Sequence, residues 1–555
     1  MELHQRLEQI LGALRPAFSR EATFRWFVLL VWGVLLNTQP PAVTSYLNAI
    51  GLGEGYYGQA LHWFESSAFS VEGLCWRWGG WLSEQAHVHH LQGQRVYVGD
   101  GIKVAKEGRK MPGVKGLHQE SEDVSKPEWI RGHYFNALSI LLGAGSAHFA
   151  VPIILKVHDG LTAATPETTD AETKPKTTLV TKMADLCTAY AQAGSYIVLD
   201  AYFACEPVIT RFRRHQVHLI SRVRSSTVAH AQFSAVPTVK GPGRPRQWGS
   251  KVKLQTLFAP IEHCQQAQVW LYGQLVTVYY ECFEFHWDSP ETTVRFVLTQ
   301  LANGRQVILL STDGSLSGPE VIAAYGLRFK IELTFRTLIH LLGGFAYRFW
   351  LKAMTTAPSW PKNLNLADYP ESVQGQILAK VEAMERFVNL NAIALGILQV
   401  LALELPTLIW SNFPSGVDID FGDHPADRRA KRQTFRVGRR LAVGHQIGNS
   451  QVGAFGFGIS NFGIGLGHLI FPTCNGFAGE QFFGTLIMRL LALRIGIGLM
   501  PVGQGGAVIG PSTHSVLQLD QGLGIAVLTG QQDGQVVVRF GQLWERLGQG
   551  LQGFH

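Results

Sequence analysis

Three acidic residues stand where carboxylates could share divalent cations: Asp100, Asp200 and Glu332. Asp100 lies within the segment RVYVGDGIKV, Asp200 closes the apolar run YIVL, and Glu332 follows Arg328 by four residues and Tyr325 by seven. Hard cations, magnesium first and manganese next, prefer carboxylate oxygen. Two such ions about 4 Å apart can activate an attacking oxygen and stabilise a leaving one, the geometry of phosphodiester cleavage and transfer. Taken singly, each acid has an ordinary reading. An aspartate at a strand end commonly forms a turn, and a glutamate four residues after an arginine is a common ion pair on a solvated helix face. Asp313, followed by glycine, reads as a turn, as does Asp159; Asp185 reads as a solvated helix residue.

The elements that must position these acids follow from periodicity. Arg95–Val104 has strand character, and Tyr134–Leu142 and His148–Val157 are two apolar runs split by glycines, which suits a hairpin. Thr177–Gln192 spaces Leu179, Met183, Leu186 and Tyr190 as one helix face, and Gly194 ends it. Tyr196–Leu199 is a buried strand running into Asp200. Strand, strand, strand, helix, strand is the order of an RNase H-like α/β fold with a mixed sheet. Its first and fourth strands can be neighbours, which would bring Asp100 to Asp200. Val269–Trp287 is β-rich and aromatic. Val307–Leu310 is a further strand before a helix that starts near Pro319-Glu320 and carries Tyr325, Arg328 and Glu332.

The Tyr-x-x-Arg-x-x-x-Glu pattern at Tyr325, Arg328 and Glu332 resembles the signature of bacterial DDE insertion-sequence transposases. The order of elements over residues 95–410 is similar as well, as are Gly99-Asp100-Gly101 and Leu199-Asp200-Ala201-Tyr202-Phe203. The resemblance implies an RNase H-like core interrupted by a β-rich insertion between the second and third acids. It implies that Asp100, Asp200 and Glu332 bind two magnesium ions, with manganese as the substitute. Tyr325 and Arg328 would contact the phosphate of the DNA end being cut. The family signature often continues with a lysine seven residues after the glutamate. Here that place is Ile339, and Arg336 and His340 are the polar residues nearby. The function implied is cleavage of transposon ends and strand transfer into target DNA. Its partners would be double-stranded DNA (terminal inverted repeats and target) and a second copy of the chain. An inactive DNA-binding remnant and an RNase H-type nuclease without strand transfer are the alternatives.

Basic residues after the first acid, Lys103, Lys106, Arg109, Lys110 and Lys115, suit phosphate neutralisation or a solvated loop equally. Trp287 and Trp270 in the aromatic segment could stack an unpaired base, or pack a small sheet. His118, Glu120, Glu122 and Asp123 read as a surface loop, and Gly241–Arg246 as a short basic loop.

With 555 residues, 46% hydrophobic and 16% charged, the chain is folded and too long for one core. A net charge of +7 fits a nucleic-acid partner. Six cysteines, none at Cys-x-x-Cys spacing, argue against a zinc site or disulfide framework. The apolar run Trp26–Leu36 is eleven residues, against roughly 20 needed to span a bilayer, so a buried helix and no membrane are expected. A cytoplasmic, nucleoid-associated protein follows.

The expected organisation is a helical DNA-binding domain over 1–90, core over 91–200, β-rich insertion over 201–300, core with C-terminal helices over 301–413, and a Gly-rich tail over 414–555. That tail holds 28 of the 60 glycines and a single lysine, Lys431. Arg428–Arg440 has seven basic residues in thirteen. Such foreign composition is expected of a frameshift or fusion product with no part in catalysis, with a genuine extra domain as the alternative.

Overall fold

The computed structural model describes residues 2–119, 127–144, 147–158, 160–162, 178–232, 248–271, 273–287 and 289–405, with four short strands beyond 499. Two compact units divide the chain, one spanning Gln5–Thr407 and the other Leu408–His555 with Met1–His4. In the second unit the described residues are Met500–Val502, Gly506–Ile509, Gly530–Gln532 and Gln535–Val538, which pair as one antiparallel sheet. Arg428–Arg440, Gly241–Arg246, Asp159 and Glu120–Asp123 lie outside the described residues.

Helices come first: α1 (Glu2–Ala13), α2 (Glu21–Leu36), α3 (Val43–Ala49), α4 (Tyr57–Trp63) and α5 (Val71–Ser83). Breaks fall at the 3-10 turn holding Pro16 and at the residues holding Pro40 and Pro41, where no backbone N–H is available to continue a helix. Helix α2 contains the apolar run, and Phe27, Leu30 and Val31 are fully buried.

Strands β1 (Gln94–Ala105), β2 (Lys115–His118), β3 (Trp129–Ala144) and β4 (Ala147–Val157) precede helix α6 (Leu179–Tyr190) and strand β5 (Tyr196–Leu199). Then come α7 (Glu206–Arg214) and β6 (His218–Val223). Thr178 caps α6 by accepting from Thr181 N, so the helix starts where the periodicity puts it. Strand β1 pairs antiparallel with β3 and parallel with β5, β5 pairs parallel with β6, and β4 pairs antiparallel with β3. The order β4-β3-β1-β5-β6 is that of an RNase H-like mixed sheet, as expected. Val96, Tyr97, Val98, Ile197, Val198 and Leu199 are fully buried, as central parallel strands covered on both faces require. Residues 201–223, expected to open the insertion, instead complete this core with α7 and β6.

The β-rich segment forms β7 (Gln265–Leu271), β8 (Gln274–Trp287) and β9 (Ser289–Leu301), followed by β10 (Gln306–Ser311). Strand β10 pairs antiparallel with β6, so the core sheet continues through β10, β9 and β8 to β7. Helices α8 (Gly318–Leu327) and α9 (Phe329–Thr337) follow, then a π-helical turn at Leu338–Leu342 and the long α10 (Glu371–Glu404). Helix α10 is the one described helix long and apolar enough to cross a membrane, and 83% of its apolar window is buried against the rest of the unit. It meets α1 through the Arg6–Glu404 ion pair and α3 through Tyr46 Oη and Asn391 Oδ1, 3.1 Å apart.

The outer edge of β4 would leave backbone groups unpaired, a standing liability of edge strands. Four side chains from three helices answer them. Trp78 Nε1 of α5 donates to Pro152 O at 2.8 Å, and Thr334 Oγ1 of α9 donates to Ala150 O at 2.7 Å. Asn389 of α10 donates to Leu155 O at 2.8 Å and accepts from Leu155 N at 2.9 Å, while Glu385 accepts from Val157 N at 2.8 Å. Pro152, which has no N–H to give, sits where the β3–β4 register shifts.

Two expected outcomes follow. Asn389→Leu keeps the volume but strands two buried backbone groups, so stability should fall by about 2–5 kcal/mol. Urea titration of the purified chain measures it, and an unchanged midpoint would show the edge is not held this way. Glu385 is 6% exposed. Burial pushes its carboxyl up to about 7, and Lys156 and the Val157 N–H pull against that rise. A carboxyl raised on folding binds its proton more tightly in the folded chain. The stability this gives is full below the unfolded value of 4.5 and is lost as pH climbs through about 7. Glu385→Gln should flatten that fall, gaining about 3 kcal/mol over the parent above the window. Parallel stability–pH curves for the two proteins would contradict it.

Candidate active site

Asp100 lies on β1, opposite Ala137 of β3, and its Oδ1 accepts from Gly101 N at 2.8 Å. Gly99, just before it, lets β5 press close: a Cβ there would lie 2.6 Å from Leu199 Cδ2. Leu199 is the last residue of β5, and Asp200 follows at the start of a 3-10 turn over Ala201–Phe203. The parallel register Val96–Tyr196 to Val98–Val198 therefore carries both aspartates to the same end of adjacent strands.

Glu332 comes from α9. Ile331, Thr334 and Phe335 turn inward, while Glu332 and Arg336 are exposed. Arg328, one turn earlier, spans two of the acids: Nη1 donates to Asp100 Oδ2 at 3.0 Å and Nη2 to Glu332 Oε1 at 2.5 Å. The Arg328 side chain is 16% exposed and that of Asp100 20%, so this is a largely desolvated contact in which each charge needs the other. Burial raises the Asp100 carboxyl to about 6; Arg328 and the Gly101 N–H oppose the rise, and the charges of Asp200 and Glu332 add to it. Burial works against the Arg328 charge, but Asp100, Tyr325, Asp200 and Glu332 outweigh it and hold the guanidinium protonated. Tyr325 lies beneath, its ring centroid 5.9 Å from Arg328 Cζ. Its hydroxyl is pushed up mainly by burial, with Arg328 and Arg222 pulling it down and Asp200 pushing it up.

The three acids, Tyr325 and Arg328 are thus brought together from β1, the end of β5, and α8–α9. One further residue joins them: Arg222, exposed on β6, adds its charge near Tyr325. The run of arginines over 211–224 could have pointed to it. Arg336 lies on the Glu332 face, and Ile339, at the place of the family lysine, is 39% exposed on the π-helical turn.

Other expected residues are placed differently. Trp287 is 8% exposed and packs edge-on against Phe296 at 6.1 Å, so it is a core residue and not a stacking platform; Trp270 is 62% exposed on β7. Lys106 does not face a phosphate. Its ammonium donates to Phe345 O and Tyr347 O and lies 3.6 Å from the Tyr347 ring centroid. Burial, with help from Arg348, lowers its pKa to about 8. Lys110 Nζ donates to Lys352 O at 3.1 Å and Lys103 Nζ to His118 O at 2.7 Å, both at exposed positions, and Arg109 is exposed. The decoys behave as turns and surface: Asp313 accepts from Tyr196 Oη and Ser315 N, and Asp185 pairs with Arg211.

An all-carboxylate donor set suits a hard divalent cation. Three carboxylates against one guanidinium also leave negative charge for a cation to meet. Among the described residues no three acidic, histidine or cysteine side chains close round a single point; in this arrangement Arg328 is the cation between Asp100 and Glu332. The residues fit a divalent ion by chemistry, and Asp100, Asp200 and Glu332 are those that would hold it.

An RNase H-like sheet with one acid on β1 and another just past its parallel neighbour β5 defines a class of nucleic-acid phosphodiester enzymes. Residues 13–272, which contain α2–α7, the core strands and both aspartates, match the family described as DDE superfamily endonuclease. That part of the chain is similar to this superfamily; the helix with Glu332 lies beyond the match. A solved cryo-EM structure of a piggyBac transposase synaptic complex with hairpin DNA aligns over 75% of this chain and 75% of its own, at 10% identity and a TM-score of 0.30, too low a likeness to carry an argument. No curated protein matches the chain.

Arg328→Met should leave Asp100 and Glu332 uncompensated and cost about 1–3 kcal/mol in buffer without divalent ions, less than for a fully buried pair because Glu332 is exposed. Magnesium should restore part of the loss. Thermal unfolding with chelator and with magnesium measures both effects, and equal stability of variant and parent in chelator would refute the bridging role.

Proposed function

We propose that this chain is a DNA transposase of the insertion-sequence type, which cleaves element ends and joins them to target DNA. The observation that carries the reading is the convergence of Asp100, Asp200 and Glu332, from one strand, the end of its neighbour and one helix, around Arg328. Support comes from the DDE endonuclease match over the first two acids.

In this reading the three acids hold divalent ions, magnesium or manganese, which when bound supply charge stabilisation to the attacking and leaving oxygens. Arg328 exchanges its carboxylate contacts for the phosphate of the DNA end, with Tyr325 supporting its guanidinium. Arg222, Arg336, Arg109 and Lys103 add positive charge along the path of the backbone. Water attacks the phosphorus at the element end, the P–O bond to the element's terminal 3′-oxygen breaks, the phosphate stays on the flanking DNA of the same strand, and the element's 3′-hydroxyl is released. That hydroxyl then attacks a target phosphodiester, forming one P–O bond as another breaks, so no covalent enzyme intermediate is needed. Helices α1–α5 are the proposed DNA-binding segment. Bringing two ends together needs two copies of the chain, and the work takes place where the chromosome lies.

Asp100→Asn, Asp200→Asn and Glu332→Gln should each lower magnesium-dependent cleavage of a labelled element end by about 10³-fold, or about 4 kcal/mol of barrier, while DNA binding persists. Full activity in any one of them would remove that residue from the assignment. Cleavage without strand-transfer product would make the chain a nuclease, and a folded chain that binds but does not cut would make it a remnant.

A further inference from the structure

A cleft lies away from the acids, at the first residues of β3. Lys115, Gly116, Trp129, Trp360, Pro361, Lys362 and Asn363 line an open cleft of about 820 Å³, within the size range of pockets that accept a small ligand. Trp129 is 50% and Trp360 60% exposed, unusual for indoles in a folded chain.

Both rings are held. Trp129 packs edge-on to His118, its cross-strand partner, at a centroid distance of 4.9 Å, and His118 Nε2 lies 3.3 Å from Glu128 Oε1. Trp360 lies over the backbone of β2: a Cβ on Gly116 would be 3.5 Å from its ring, and Gly116 N donates to Pro361 O at 2.8 Å. The loop carrying Trp360 is tied along its length to the segment after β1. Leu351 N donates to Lys110 O and Ala357 N to Arg109 O, while the Lys106 and Lys110 ammonium groups cap its carbonyls. Two lysines expected to meet DNA directly, Lys106 and Lys110, thus anchor the loop that supplies Trp360 to this cleft.

We infer that the Trp129–Trp360 cleft takes an unpaired nucleotide of a DNA strand, its base against the indoles and its phosphates toward Lys115 and Lys362. Indole faces stack any base, and lysines on the rim neutralise the backbone on either side. Among the described residues the lining contains no acid, and the nearby Glu128 lies against His118. Asp100 pairs with Ala137 and Trp129 lies eight residues farther back along β3, a separation of roughly 25 Å at strand rise. The inference rests on the proposed action on DNA, and places an unstacked nucleotide at a distance from the reacting phosphodiester. It also moves the stacking role from the buried Trp287 to a different part of the chain.

The test is binding of the full chain to a short oligothymidylate and to a blunt duplex, followed by fluorescence anisotropy. Trp129→Ala and Trp360→Ala should each weaken oligothymidylate binding about tenfold or more, Trp129→Phe should restore most of it, and duplex affinity should stay within about twofold. Because both indoles are exposed, the melting temperature should not change. Oligothymidylate affinity unaffected by both alanine variants overturns the inference, as does an equal loss for duplex and single strand. A parent chain that binds neither DNA and does not cleave overturns the transposase reading as well, whereas cleavage with unaltered variants overturns the cleft alone.

Discussion

The unpaired outer edge of β4 is the constraint around which the Gln5–Thr407 unit is built. A strand edge inside a protein must find partners for its N–H and C=O groups or lose their hydration without compensation. Here the partners are single side chains: Trp78 from α5, Thr334 from α9, and Asn389 and Glu385 from α10. Each bond also fixes where its helix lies against the sheet. Thr334 is two residues from Glu332, so the contact that satisfies Ala150 O also sets the helix carrying the third acid.

The electrostatics of the site follow from that placement. Glu332 is delivered beside the middle of β1 and the end of β5, where Asp100 is half-buried and Asp200 is near. The charges of Asp200 and Glu332 push the Asp100 carboxyl up. Arg328, four residues earlier on the same helical path, answers Asp100 and Glu332 together. The four-residue spacing works because it places the guanidinium over the glutamate on one face while its other nitrogen reaches across to β1. A pattern that would be an ordinary surface pair on an isolated helix becomes a link between two elements 228 residues apart in the chain.

Much of this was legible in the sequence, and the exceptions share a cause. Strands β1, β3, β4 and β5 and helix α6 are marked by local patterns of apolar residues, with Thr178 as a local cap. The two aspartates could be placed because strand order implies adjacency, and Glu332 because its neighbours repeat at helical spacing. Strand β2 was not legible: its four residues, KGLH, have no apolar alternation and become a strand only by pairing with β3. Lys106 reads as a surface lysine until the carbonyls of Phe345 and Tyr347, some 240 residues on, are brought to it. Trp287 reads as a candidate platform, yet Phe296 across the hairpin covers it. Arg222 reads as one of many basic residues until the sheet sets it beside Tyr325. In every case the missing information is a contact distant in sequence, which residue type and periodicity do not encode.

The β-rich segment between the second and third acids also has a mechanical role in the site. It is not a separate lobe, because β10 pairs along β6 and β9 and β8 extend the same sheet. Helix α8 packs back onto it: a Cβ on Gly318 would lie 2.4 Å from the Tyr280 ring of β8, and one on Gly326 2.5 Å from Leu271 of β7. Only glycine allows so close an approach. Helix α8 runs through Arg328 directly into α9, since Arg328 keeps helical dihedrals at the junction. The path carrying Tyr325, Arg328 and Glu332 is therefore held at its start by the inserted strands and near its end by the edge of β4. Tyr196 Oη, donating to Asp313 at 2.6 Å, ties the turn before α8 to the strand that ends at Asp200. An acid supplied by a helix has no sheet hydrogen bonds of its own to fix its depth over the strands; two points of attachment on opposite sides supply that restraint. This accounts physically for why the chain leaves the core after β6 and returns through β10 before presenting the third acid.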